Sequence, residues 1–301
     1  MNLDPDVTFL VPTFQRPEYL KRALKSIASQ TILPAKTIIG DNGSGIETRQ
    51  IVDSFIKKIP SLVYSQHPEN IGAFNNWVYL AKESQTKYSK ILWDDDWLEN
   101  DFLEVMMKLM RQSGSDAVLC AAYGHIENQT QLWYQDVPDF VSDKWDETFP
   151  YIAYRGIPNS PLAGVQLASD VVEALTCFNY SKKAISENLV VGPDMAINVW
   201  CLANNRKLAF TRKPLVHMFG DGQNMTNRTS NKILAPLYRD TLLNLQLLNG
   251  RELDSRVIEL LDQMVSPKIT SQRATRFVKR QLFRLLRKLK TIIIYITGRA
   301  S

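Results

Sequence analysis

Ile91-Leu92-Trp93-Asp94-Asp95-Asp96-Trp97 is a short apolar run that ends in three consecutive carboxylates. Crowded like charges raise one another's pKa, so such a stretch calls for a cation among them, and a divalent metal is the natural choice. Two plainer readings stand beside that one. Asp96 could cap a helix starting near Trp97, with Glu99 completing a capping-box pattern. Asp94 and Asp95 would then be solvated turn residues. Capping accounts for one aspartate, however, and leaves the other two unexplained.

Working upstream, Val7 to Val11 is a β-branched apolar run closed by Pro12, the pattern of a buried parallel strand feeding a turn. Leu20, Ala23, Leu24 and Ile27 then recur with helical spacing. The unit repeats: strand Thr37 to Gly40, helix Glu47 to Ile56, strand Leu62 to Ser65, helix Ala73 to Ala81, and strand Ser89 to Trp93. Alternation of this kind predicts an α/β fold with a mostly parallel sheet and right-handed crossovers. Ligands bind such sheets beyond the carboxyl ends of the strands. The loops Thr13 to Arg16, Asp41 to Ser44 and Asp94 to Asp96 should therefore converge on one rim. Each also has an ordinary explanation, since Asp41-Asn42-Gly43-Ser44 is good turn chemistry and Asn70 to Trp77 suits a helix start. Arg16 could be a solvated helix-start residue or could face a phosphate.

Downstream, Asp116 to Ala122 and Leu208 to Val216 read as strands, and Leu132 to Tyr134 as part of an antiparallel excursion. Tyr151, Tyr154, Arg155 and Pro158-Asn159-Ser160-Pro161 make a turn-rich aromatic stretch that could line an acceptor cleft or simply pack. Gly192-Pro193-Asp194 opens an apolar-periodic helix, Met195 to Ala203, where Asp194 suits a helix N-terminus. Ile233 to Leu248 and Glu252 to Met264 read as amphipathic helices.

Composition bounds the class. The 301 residues carry a net charge of +5, but residues 263–301 hold ten Lys and Arg and no Asp or Glu, which leaves the body acidic. A body of that sign argues against nucleic acid as a partner. The three cysteines are widely spaced, which disfavours a disulfide framework or zinc knuckle. The N-terminus lacks a secretory pattern and no run is long enough for a membrane span, so the expected compartment is cytoplasmic. In the tail, Val278, Leu282, Leu285, Leu286, Leu289, Ile292, Ile293 and Ile296 form a helical stripe opposite Arg and Lys residues. That pattern predicts a basic amphipathic helix on an anionic membrane surface, with packing on the acidic body or on a partner helix as the alternative.

Taken in order, Phe9-Leu10-Val11-Pro12-Thr13-Phe14-Gln15-Arg16-Pro17, Ser26 to Thr31, Ile39-Gly40-Asp41-Asn42-Gly43-Ser44, Asn70 to Trp77 and the triple aspartate resemble the opening motifs of family 2 glycosyltransferases. The resemblance is strong over residues 5–110 and weaker to about 230. It implies a GT-A-like, Rossmann-like domain over residues 1–230, C-terminal helices over 231–266 and the membrane-surface helix over 267–301. It also implies inverting transfer of a sugar from a nucleoside-diphosphate donor, with a UDP-sugar favoured, onto a saccharide or lipid-linked acceptor in cell-surface polysaccharide assembly. Carried over by position, Pro12, Thr13, Arg16, Asp41, Asn76, Asp94 and Asp95 would bind the donor nucleotide. Asp96 would hold Mg²⁺ or Mn²⁺, and Asp194 would be the general base. Two departures stand out. Pro193 replaces the Glu usual before that base, and the usual histidine register falls on Asp221, with His217 four residues earlier, so the further metal ligand is His217 or Asp221. A sugar nucleotidyltransferase shares the topology but carries a Gly-rich phosphate loop that Pro12-Thr13-Phe14-Gln15 lacks. A catalytically inactive nucleotide-binding scaffold at the membrane surface is the other alternative.

Overall fold

The computed structural model describes residues 2–59, 61–126, 129–153, 158, 160–178, 192–220 and 231–251. Strand β1 (Leu3–Thr13), helix α1 (Pro17–Ala28), β2 (Leu33–Asp41), α2 (Ile46–Asp53), β3 (Leu62–Gln66), α3 (Ala73–Glu83) and β4 (Tyr88–Ile91) form the first half. The second half contains β5 (Trp97–Leu98), α4 (Phe102–Ser113), β6 (Ala117–Ile126), β7 (Gln129–Trp133), β8 (Phe140–Ser142) and α5 (Trp145–Ala153). After a 3₁₀ turn at Pro161–Ala163 come β9 (Gly164–Leu167), α6 (Ala168–Thr176), α7 (Pro193–Ala203), β10 (Leu208–Gly220) and α8 (Asn231–Leu247).

One sheet runs in the order β3-β2-β1-β4-β9-β6-β10-β5, with β7 added beside β6 and β8 beside β10. The long ladders, β1 with β2 and β6 with β10, are parallel. The short β9 lies antiparallel between β4 and β6 and joins the two halves. The predicted α/β architecture is therefore present.

Side-chain alternation along the strands separates two cores. Val7, Phe9 and Val11 pack with Leu20, Leu24 and Ile27 of α1 on one face, while Leu10 and Ile38 join α3 and α7 on the other. The predicted α1 stripe of Leu20, Ala23, Leu24 and Ile27 is fully buried. Each such side chain contributes about 1.5–3 kcal/mol relative to exposure. Close packing also fixes Gly40, because a Cβ there would stand 2.7 Å from Asn76 Oδ1 and 2.8 Å from Leu80. Helix α3 rests on β2 at that point, directly below the Asp41 loop.

Two boundaries differ from expectation. Trp97 does not start a helix; Trp97–Leu98 pairs antiparallel with His217 and Val216 of β10, and α4 begins only at Phe102. Asp96 therefore caps no helix, and the capping reading falls away. Strand β10 continues to Gly220, past the expected end at Val216. The predicted helix Glu252 to Met264 and the tail stripe lie outside the described residues. Among the described residues, no helix is long and apolar enough to cross a membrane.

Candidate active site

The parallel ladder of β1 with β2 and β4 brings three loop starts to one edge. Thr13 is registered opposite Asp41, Asn42 N–H donates to the Thr13 carbonyl at 3.0 Å, and Leu92 N–H donates to the Leu10 carbonyl at 2.9 Å. Side chains then tie the loops together. Thr13 Oγ1 donates to Asp94 Oδ2 at 2.8 Å. Arg16 Nη1 lies 3.1 Å from Asp95 Oδ2 and 3.6 Å from Asp94 Oδ1. Gln15 N–H donates to Ser44 Oγ at 2.8 Å.

Electrostatics at this rim are unfavourable as they stand. Burial and then the neighbouring Asp95 charge raise the Asp94 carboxyl to about 7, against the lowering effects of Arg16, Thr13 and the Phe14 N–H. Asp96 is likewise pushed well up by burial and by Asp95, while the Phe219 N–H opposes the shift. That N–H reaches Asp96 Oδ1 at 2.8 Å. Among the described residues no three His, Cys, Asp or Glu side chains are arranged to hold a metal by themselves. The donor chemistry nevertheless fits a hard cation attached through one carboxylate, because Mg²⁺-type ions bind through one or two carboxylates plus phosphate oxygens. The buried surplus of negative charge would be relieved by such an ion.

Asp41 and Asn76 are already engaged. Asp41 is fully buried, accepting from Ser44 N–H at 2.9 Å and from the Tyr64 hydroxyl. Asn76 donates to the Gly40 carbonyl at 2.8 Å and meets His67 Nε2 at 3.2 Å. Each Asp41 oxygen thus already has one protein donor, and Asn76 braces the end of β2. Pro12 sits within β1, registered opposite Gly40.

His217 faces elsewhere. Its ring lies between Trp97 and Tyr123, each with centroids 4.7 Å away. Nε2 is 2.8 Å from Glu99 Oε1 and Nδ1 is 2.9 Å from His125 Nε2. Both nitrogens are thus occupied by protein partners, which leaves no lone pair for a metal in this arrangement. Asp221 lies outside the described residues, as do Tyr154, Arg155 and Asn159.

Asp194 opens α7 after Gly192, whose φ of +105° and approach to Thr241 of α8, at 2.3 Å from a hypothetical Cβ, require glycine. Pro193 follows at the first helical turn, where its missing N–H costs nothing. The carboxylate accepts from Gly192 N–H and Met195 N–H, both at 2.9 Å, and from the Tyr238 hydroxyl of α8 at 2.9 Å. Burial raises its pKa to about 6, with those donors pulling it back down. A carboxylate near that value is ionised at neutral pH yet basic enough to take a proton.

Sequence reasoning missed several groups in and around this region. Lys90 is fully buried in β4, with its ammonium on the Leu162 carbonyl and 3.5 Å from the Pro161 carbonyl. A lone lysine within the apolar run Tyr88 to Leu92 was the available clue. Tyr238, His125 and Asn198 carried no local sign, because their partners lie far away in sequence.

Residues 8–186 match the family model described as Glycosyl transferase family 2. Among curated proteins, the chain is 28% identical over 117 residues to the abequosyltransferase RfbV of Salmonella typhimurium, covering 38% of this chain and 35% of that protein. It is 23% identical over 144 residues to the glycosyltransferase GlyA of Streptococcus pneumoniae, covering 48% of this chain and 20% of that one. The chain thus spans well under two thirds of the length of these relatives. Among solved structures, S. aureus TarS 1–349 in complex with UDP superposes with a TM-score of 0.65 at 15% identity, covering 90% of this chain and 74% of that one. The same protein in complex with UDP-GlcNAc gives a TM-score of 0.63 at 14% identity, covering 90% and 75%.

Proposed function

The chain belongs to glycosyl transferase family 2, and from that premise we propose that it moves a sugar, with inversion, from a nucleoside-diphosphate sugar to a saccharide or lipid-linked acceptor in cell-surface polysaccharide assembly. The observation that carries the reading is the rim itself: Thr13, Arg16, Asp94 and Asp95, from two separate loops, held together beside the buried Asp96. A UDP-sugar is the favoured donor, since the structurally similar TarS was solved with UDP and UDP-GlcNAc.

Thr13 and Arg16 hold the Asp94 and Asp95 side chains in place as the diphosphate docks. Asp96, anchored by the Phe219 N–H, is the carboxylate for Mg²⁺ or Mn²⁺. When bound, that ion supplies Lewis-acid neutralisation of the departing diphosphate. Asp194 removes the proton of the acceptor hydroxyl on the face opposite the leaving group, which inversion requires, and Tyr238 holds its second oxygen.

Thermal stabilisation by a panel of nucleotide sugars, with and without Mn²⁺, tests the donor class. A bound donor at a hundred times its Kd adds about 2.7 kcal/mol. Stabilisation by UDP-sugars only when Mn²⁺ is present is expected, and no stabilisation by any nucleotide sugar would refute the reading.

The basic residues of the tail support a peripheral seat on the cytoplasmic leaflet, near lipid-linked acceptors. Deleting residues 268–301 should abolish flotation with phosphatidylglycerol vesicles while leaving UDP binding intact. Equal flotation of both chains would remove the tail as the anchor.

A further inference from the structure

The Lys90 ammonium is one of three side chains, two fully buried and one partly, that converge on a single turn, Ser160–Ala163. Lys90 reaches the Leu162 carbonyl from β4. Trp93, one residue before the triple aspartate, donates its indole N–H to Ser160 Oγ at 2.9 Å. Asn198, one helical turn beyond Asp194, donates to the Ser160 carbonyl at 2.9 Å and to the Pro158 carbonyl at 2.7 Å. Its own oxygen accepts from Gln166 of β9 at 2.9 Å. Ser160 is therefore bonded on its side chain to the donor rim and on its backbone to the helix that carries Asp194.

An amide and an ammonium with no exposure are costly to bury unless every bond is made. The cost is visible in Lys90, whose pKa is drawn down to about 7 by burial. An apolar pair would pack these elements together without that cost, but it would restrain the rotation of α7 by shape alone. Hydrogen bonds fix direction as well as distance. Asp194 and Asn198 lie four residues apart, so they share a face of the helix and turn together.

Resting on the reading of Asp194 as the base, we propose that Ser160 and Asn198 are positioning residues: with Lys90 and Trp93 they form a polar strap that fixes the aim of Asp194 relative to the Asp94–Asp96 rim. Donor and base are then held in one geometry by a turn that touches neither substrate. A misplacement on the order of 1 Å costs about a hundredfold in rate, and this is the size of movement the strap prevents.

The test compares Asn198→Leu, Ser160→Ala and Asp194→Asn with the wild-type full chain, and adds Met107→Ala in α4 as a variant that is destabilised without touching the strap. Two quantities are read. One is the titration of the Asp194 carboxyl by ¹³C NMR on aspartate-labelled protein, assigned by its loss in Asp194→Asn. The other is release of UDP from UDP-GlcNAc with Mn²⁺. Asn198→Leu should move the Asp194 midpoint away from about 6 and lower kcat by roughly ten- to a hundredfold with KM little changed. Ser160→Ala, which removes the acceptor of the Trp93 indole and the Leu162 N–H but leaves the Asn198 bond to the backbone carbonyl, should shift both in the same direction by less, and it decides the matter if Asn198→Leu does not fold. Met107→Ala should lose thermal stability with the midpoint unmoved. An unmoved midpoint in the strap variants, or an equal shift in Met107→Ala, overturns the proposal. Full turnover by Asp194→Asn would instead overturn the base reading, while the midpoint still reports whether the strap aims that side chain.

Discussion

At the donor rim Asp94 and Asp96 are held up by burial and by their shared neighbour Asp95, with Arg16 supplying opposite charge to Asp94 and Lys90 to Asp96. At the start of α7, Asp194 is raised by burial and drawn back by three hydrogen-bond donors. Under the proposed function, the first arrangement is one that added positive charge would complete, and the second is a carboxylate ready to take a proton. On that reading, charge crowding marks the donor-binding end and a satisfied, slightly raised carboxylate marks the reacting end.

The sharpest way to separate the two ends is Asp194→Asn. It keeps the shape and loses the basicity, so turnover should fall by about 10²–10⁴-fold while the affinity for UDP with Mn²⁺ stays near wild type. Loss of donor affinity in that variant would merge the two ends into one. In wild type, kcat should fall about tenfold per pH unit below about 6, the Asp194 value.

Stability should show the opposite sign at the rim. The folded pKa of Asp94, about 7, lies above its usual 3.8, so the folded state binds the extra proton between those values. Its contribution to stability is then present below about 4 and is lost as pH rises through about 7. Asp94→Asn should accordingly raise the melting temperature at pH 7.5, by the equivalent of about 1–3 kcal/mol, as removal of a desolvated charge does. The gain should shrink by pH 5, and an unchanged gain across that range would show that charge crowding is not the cause. The histidines work against this trend, since burial lowers the pKa of both His125 and His217 and acidification must charge them; the comparison of Asp94→Asn with wild type cancels their effect.

The smallest effect is expected at Tyr64→Phe. Freeing one oxygen of Asp41 from the tyrosine hydroxyl should change UDP affinity by no more than about threefold, below the full scale of a hydrogen bond to a carboxylate, because the Ser44 N–H stays bonded to the other oxygen. A tenfold gain would reveal Tyr64 as a gate over the base pocket.

Which parts of this were legible in the sequence follows from how local their causes are. The βα units were, because a β-branched run and an i, i+3, i+4 stripe depend only on neighbours. The rim followed from them, since parallel strands put successive loops on one edge. The short strand Trp97–Leu98 was not, because its partner Val216–His217 lies more than a hundred residues away and nothing in Trp-Leu-Glu favours a strand over a helix start. His217, four residues before the usual histidine register at Asp221, is a ligand candidate from sequence, yet an aromatic ladder built from β5, β6 and β10 takes up its ring and both nitrogens. The Ser160 turn is legible in the sequence only as part of a turn-rich aromatic stretch that lines a cleft or packs; its partners Lys90 in β4, Trp93 in the following loop and Asn198 in α7 lie far away in sequence.

Calorimetric titration of UDP in the presence of Mn²⁺ into wild type and Asp96→Ala tests the division of labour most directly. The account predicts that wild type binds UDP more tightly with Mn²⁺ than without it. Asp96→Ala should lose that difference while still melting in one cooperative transition, since its carboxylate lies at the rim and outside the two apolar cores. Equal Mn²⁺-dependent affinity in the two proteins would contradict it.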